Sequence, residues 1–203
     1  MNVIQPFSMT KLNRMFRLGY HLAFETNPKK KDWTDIFNLW WCAAKGGHKR
    51  AQFYLGTCYD NGLGTDKDVE EAYKWFSKAA KQGHMESQSN IGFFYFNGEV
   101  VRQNYKKAVH WYKLAADKGD TEAQRDLGYC FHYGLGVKVD DNKAVYWYKR
   151  AASKYDPKAF YNLGLCYKNG HGVKQSKRWA KYYFEKALKF GHKEARRQLK
   201  ELS

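Results

Sequence analysis

Apolar residues fall into two alternating helical patterns along this chain, and the pair recurs every 36 residues. In the first pattern Ala51, Leu55 and Tyr59 stand at i, i+4 and i+8, one stripe of a helix A predicted over 49–59. In the second, Ala72, Trp75, Phe76, Ala79 and Ala80 take the i, i+3, i+4, i+7, i+8 spacing of an amphipathic helix B predicted over 68–81. Between them lies Asn61-Gly62-Leu63-Gly64, whose glycines supply the positive φ that ends helix A and reverses the chain. The turn reads Gly134-Leu135-Gly136 and Asn169-Gly170-His171-Gly172 further on, and Asn97-Gly98-Glu99-Val100 where its second glycine is lost. A helix pair of this kind cannot bury its stripe alone, so copies stack and one core runs along the stack.

The register is kept closely. Gly47, Gly83, Gly119 and Gly191 form a ladder, with Tyr155 on the rung where a glycine is missing. Ala-Ala recurs at 43–44, 79–80, 115–116 and 151–152, and Trp75, Trp111, Trp147 and Tyr183 are in phase. Gly56, Gly92, Gly128 and Gly164 sit inside helix A, where glycine costs about 1 kcal/mol relative to alanine. Their recurrence predicts a close approach by a neighbouring helix. Asp120 and Asp156 precede helix A as N-caps, and His48, His84 and His192 hold the same position, so they read as caps or exposed turn residues. The GxG of the turn follows a helix and recurs in each repeat, which argues against a dinucleotide site.

Composition sharpens this picture in three places. Of 203 residues 43% are hydrophobic and 18% aromatic, enough for a substantial core. The formal charge is +16, and residues 156–203 carry twelve Lys and Arg against four acids. Such a field favours acidic proteins, nucleic acid or anionic surfaces. Cys58, Cys130 and Cys166 share one repeat position. Equivalent positions in adjacent repeats lie roughly 10 Å apart, judged from helix packing, beyond the reach of a disulfide. They read as small buried hydrophobes of a reducing compartment, and neither a metal ligand set nor a cofactor is predicted. The chain has no apolar run long enough for a signal peptide or a membrane span, which predicts a cytoplasmic protein.

The run Ala51-x-x-x-Leu55-Gly56-x-x-Tyr59-x-x-Gly62-x-Gly64, followed by Ala72-x-x-Trp75-Phe76-x-x-Ala79-Ala80-x-x-Gly83, resembles the Sel-1-like repeat, a relative of the tetratricopeptide repeat. Matching units follow at 87–119, 123–155 and 159–191. The resemblance implies an all-α, right-handed α-solenoid of helix–turn–helix repeats with a concave face lined largely by helices A. On this reading residues 1–203 form one domain, with a degenerate repeat over 9–47 and full repeats over 48–83, 84–119, 120–155 and 156–191. A capping helix follows over 192–203. The loop at 26–31 replaces the glycine turn of the first repeat.

Resemblance also implies a non-enzymatic scaffold or adaptor that binds a partner protein on the concave face. The candidate contacts are the variable positions of helix A and the turn: Tyr54, Thr57, Asn90, Phe93, Asp126, Tyr129, Tyr133, Asn162 and Leu165. Phe93, Tyr129 and Tyr133 are the expected anchors, because aromatics dominate interface energetics. A basic patch is expected at Lys177, Arg178, Lys181, Arg196 and Arg197. An acidic protein partner and a monomeric chain are expected. Two alternatives are an immunity protein that neutralises a toxin, and a nucleic-acid binder using the basic patch beside Trp179 and Tyr182. No Ser/His/Asp or Cys/His set has a recognisable context, so no enzyme is expected. His110, His132 and His171 are left unexplained by the repeat phase.

Overall fold

The computed structural model describes residues 8–25 and 32–202. The loop expected at 26–31 lies outside the described residues, as does the chain before Ser8. Eleven α-helices and no strand occur among the described residues. Helices A are α1 (Met9–Phe24), α3 (Lys49–Asn61), α5 (Met85–Asn97), α7 (Thr121–Tyr133) and α9 (Pro157–Asn169). Helices B are α2 (Trp33–Lys45), α4 (Val69–Lys81), α6 (Tyr105–Asp117), α8 (Asp141–Ala152) and α10 (Lys177–Lys189), and α11 (Ala195–Glu201) ends the chain. None is long and apolar enough to cross a membrane.

The chain divides into two compact units, with the division inside α5 between Ile91 and Gly92. In the first, Ile36, Trp40, Leu55, Cys58 and Trp75 anchor a core that takes in Phe16 and Ala23 of α1. In the second, Tyr148, Leu163, Cys166, Phe184 and Ala195 do the same. Burying such side chains stabilises by about 1.5–3 kcal/mol each.

The glycine inside helix A has a definite cause. A Cβ on Gly56 would lie 2.7 Å from the Phe76 ring, and one on Gly92 2.5 Å from Tyr112. Gly128 meets Tyr148 at 2.8 Å and Gly164 meets Phe184 at 2.5 Å. The space belongs to the buried ring of the following helix B. Even Gly19 of α1, one residue out of phase, makes room in the same way for Trp40. The residue that needs the glycine is therefore Phe76 and its equivalents, which are more buried than the half-exposed Trp111 and Tyr183 one position earlier.

Helix starts also obey one rule with two chemistries. Asp156 caps α9 by accepting from the Ala159 N–H at 2.6 Å, and Arg125 of the preceding helix A reaches its other oxygen at 3.3 Å. His48 caps α3 through Nδ1, which accepts from the Ala51 N–H at 3.1 Å, while Nε2 donates to Asn13. Its ring stacks on Phe16 at 4.6 Å, and burial lowers its pKa, in keeping with a neutral acceptor. His84 stacks in the same manner on Phe53, and His192 on Tyr161. The Asp156 cap keeps a cation beside it, and the His48 and His84 caps keep a ring. Of the two roles expected for it, His192 does not take that of a cap: α11 opens at Ala195, and its N-cap residue, Glu194, makes no side-chain capping bond. Tyr155, on the rung that lacks glycine, takes φ 63° with its ring against Phe190.

Candidate functional site

The nine expected contact residues divide by what already holds them. Tyr54 stacks on Trp40 at 4.8 Å and touches Tyr20 and Phe24, so it belongs to the first core. Leu165 packs against the second core. Thr57 donates its hydroxyl to the Phe53 carbonyl one turn back. Asp126 accepts from Arg125 at 2.8 Å; burial raises its pKa and the guanidinium pulls it down. Asn90 and Asn162 are half-buried.

Three residues remain outward. Phe93 is 48% exposed, Tyr129 39% and Tyr133 55%. Tyr129 and Tyr133 stand one turn apart on α7 with ring centroids 4.5 Å apart, and Phe96 of α5 meets Tyr129 at 6.2 Å. A run of rings thus crosses two helices A of the second unit. The basic residues lie elsewhere in that unit: Lys177, Arg178 and Lys181 are exposed on α10, and Arg196 and Arg197 on α11. Trp179 and Tyr182 are exposed beside the α10 group, 5.5 Å apart and edge to face.

The run of rings ends at a polar cluster that the repeat pattern did not assign. His132 ends α7 beside Tyr133, with ring centroids 4.6 Å apart. Its Nδ1 lies 2.6 Å from Oδ1 of Asp141, the first residue of α8. His171, in the turn after α9, comes within 5.2 Å of the His132 ring. One ligating atom from each of the three falls within 4.8 Å of the others. The sequence expectation named no metal ligands, since residues in different repeats should stay apart. Here the turn overrides that spacing: Gly172 seats directly on the Asp141 carbonyl, which carries His171 back onto the preceding repeat. The available signal was that His132 and His171 follow no repeat phase.

The model of the family described as the Sel1 repeat matches residues 49–84, 86–120, 121–156 and 157–192. The chain belongs to the Sel1 repeat family. Sel1 repeat proteins generally mediate protein–protein interactions and are typically non-catalytic scaffolds. A Sel1 repeat protein from Oxalobacter formigenes is similar to this chain at 32% identity with a TM-score of 0.85; the match covers 97% of this chain and 78% of that one. Among curated proteins, the chitin synthase regulator SKT5 of Saccharomyces cerevisiae is 38% identical over 71 residues, which are 35% of this chain and only 10% of that protein. The immunity protein Pa5087 of Pseudomonas aeruginosa is similar in fold, with 21% identity, a TM-score of 0.56, and coverage of 96% of this chain and 71% of that one.

Proposed function

We propose that this Sel1 repeat chain is a monomeric, non-enzymatic adaptor that holds a partner protein against the helices A of its second unit. Phe93, Tyr129 and Tyr133 are the anchors. The observation that carries the reading is their exposure: in a chain that buries Tyr112, Tyr148 and Phe184 almost completely, each of these three rings is exposed, and Tyr129 and Tyr133 lie side by side. Exposed aromatics of this kind are the residues that fill pockets on a partner. The basic α10–α11 surface assists by attracting acidic partners, an effect on encounter rate that salt screens.

The likeness to the immunity protein is one of fold alone, so a toxin as partner is decided by the identity of what is captured. Nucleic-acid binding rests on Trp179 and Tyr182 beside Lys177, Arg178 and Lys181. The test is capture from source-cell lysate with wild type, with Phe93→Ser/Tyr129→Ser/Tyr133→Ser, and with Lys177→Gln/Arg178→Gln/Lys181→Gln, washed at low and then high salt. The proposal expects one dominant protein that survives high salt, is retained by the charge variant and is lost from the ring variant. Retention of nucleic acid that vanishes with salt, equal in wild type and ring variant, would contradict it.

A further inference from the structure

We infer that His132, Asp141 and His171 form a binding site for a divalent transition-metal ion of the zinc class. Two imidazoles and a carboxylate are donors that zinc accepts, and three protein ligands with water in the remaining position is a common arrangement for it. Three of the four requirements of such a site are met by geometry. The donors converge, with one ligating atom from each within 4.8 Å of the others. They are held from the backbone: the Asp140 N–H donates to the Phe131 carbonyl at 2.9 Å, tying the start of α8 to the end of α7. The Gly170 and His171 N–H groups both donate to the Cys166 carbonyl, at 2.8 and 3.0 Å, and Gly172 is pressed against Asp141. The site is also open on one side, since both His132 and Asp141 are only partly buried. The fourth requirement is room for the ion. Donors on a tetrahedral zinc with bonds of about 2.0–2.1 Å stand about 3.3 Å apart. His132 Nδ1 and Asp141 Oδ1 lie at hydrogen-bonding distance, 2.6 Å. The ion takes the place of that hydrogen bond, and the two side chains separate by about 0.7 Å, a small rotation for groups of this exposure.

The preceding repeat supplies an internal control. Phe96, Tyr105 and Leu135 occupy the positions of His132, Asp141 and His171, 36 residues earlier. There Gly136 seats on Tyr105 as Gly172 seats on Asp141, and the Phe96 and Tyr105 rings meet at 5.2 Å. The frame therefore gathers these three positions whatever occupies them. Only in the later repeat are all three of a ligating type. An ion there links α7, α8 and the turn after α9, joining two consecutive repeats next to Tyr133.

The test uses the full chain freed of metal with a chelator. Calorimetric titration with zinc and visible spectra with cobalt are recorded for wild type, His171→Leu and His132→Phe. Each variant carries the residue the frame already accepts one repeat earlier, and circular dichroism checks that it folds. The expected result is one zinc per chain, with affinity at least about 30-fold weaker in each variant. The intense visible bands of tetrahedral cobalt are expected in wild type only. Absence of zinc binding in wild type, equal affinity in wild type and either variant, or a cobalt spectrum that neither variant changes would overturn the inference.

Discussion

Two neighbouring turns of the second unit, built on the same frame, carry opposite chemistry. At Phe96 and Tyr105 the turn is aromatic; at His132, Asp141 and His171 it is polar and able to hold an ion. What they share is the pair of backbone-seated glycines, Gly136 and Gly172. The positions before helix A repeat the lesson, since Asp156 goes with Arg125 while His192 goes with Tyr161. Glycine and buried ring positions make the fold, and side chains that meet across the turn are free to change so long as they change together.

The comparison is broken most severely by filling the seats. Gly136→Ala and Gly172→Ala each force a left-handed alanine against backbone, at φ 73° and 66°, and are expected to cost about 3 kcal/mol in denaturant unfolding. Gly172→Ala should also abolish zinc binding, whereas Gly136→Ala leaves it intact. Gly170→Ala, in the same turn at φ 79°, meets nothing nearer than 3.4 Å and is expected to cost about 1–2 kcal/mol. The positions before helix A give a sharper contrast. Arg125→Leu strands two carboxylates, Asp126 and Asp156, and is expected to lower stability by about 2 kcal/mol. Tyr161→Leu keeps an apolar surface under His192 and is expected to lower it by under about 1 kcal/mol. Thermal unfolding of the two variants side by side reads the difference. The smallest effect is expected from the ring variant of Phe93, Tyr129 and Tyr133, whose members are exposed and cost within about 0.5 kcal/mol each while binding is lost.

The frame was legible in the sequence because packing repeats with a fixed period. Gly128 and Tyr148 recur with every helix pair, so the pattern announces both the fold and the need for space inside helix A. The glycine was expected to admit a helix and in fact admits a ring, because period alone says that room is needed but not for what. The exposed rings were legible as the aromatic members of a variable row. Tyr54, drawn from the same row, was not distinguishable from them: its burial comes from Tyr20, Phe24 and Trp40, residues of an atypical first repeat. The His132 cluster was hidden for another reason. Its members lie 9 and 39 residues from His132, in three different structural contexts, and only the seat of Gly172 on Asp141 brings His171 back to them.

The most direct test of one frame with exchangeable contents is a graft of one turn onto the next. The variant His132→Phe/Asp141→Tyr/His171→Leu gives the later turn the residues of the earlier one. Its thermal unfolding is compared with that of wild type, metal-free and then with excess zinc. The account predicts stabilities that agree within about 1 kcal/mol without metal, and a rise in midpoint with zinc in wild type only. A graft that fails to fold, or a zinc response that survives it, would contradict the account.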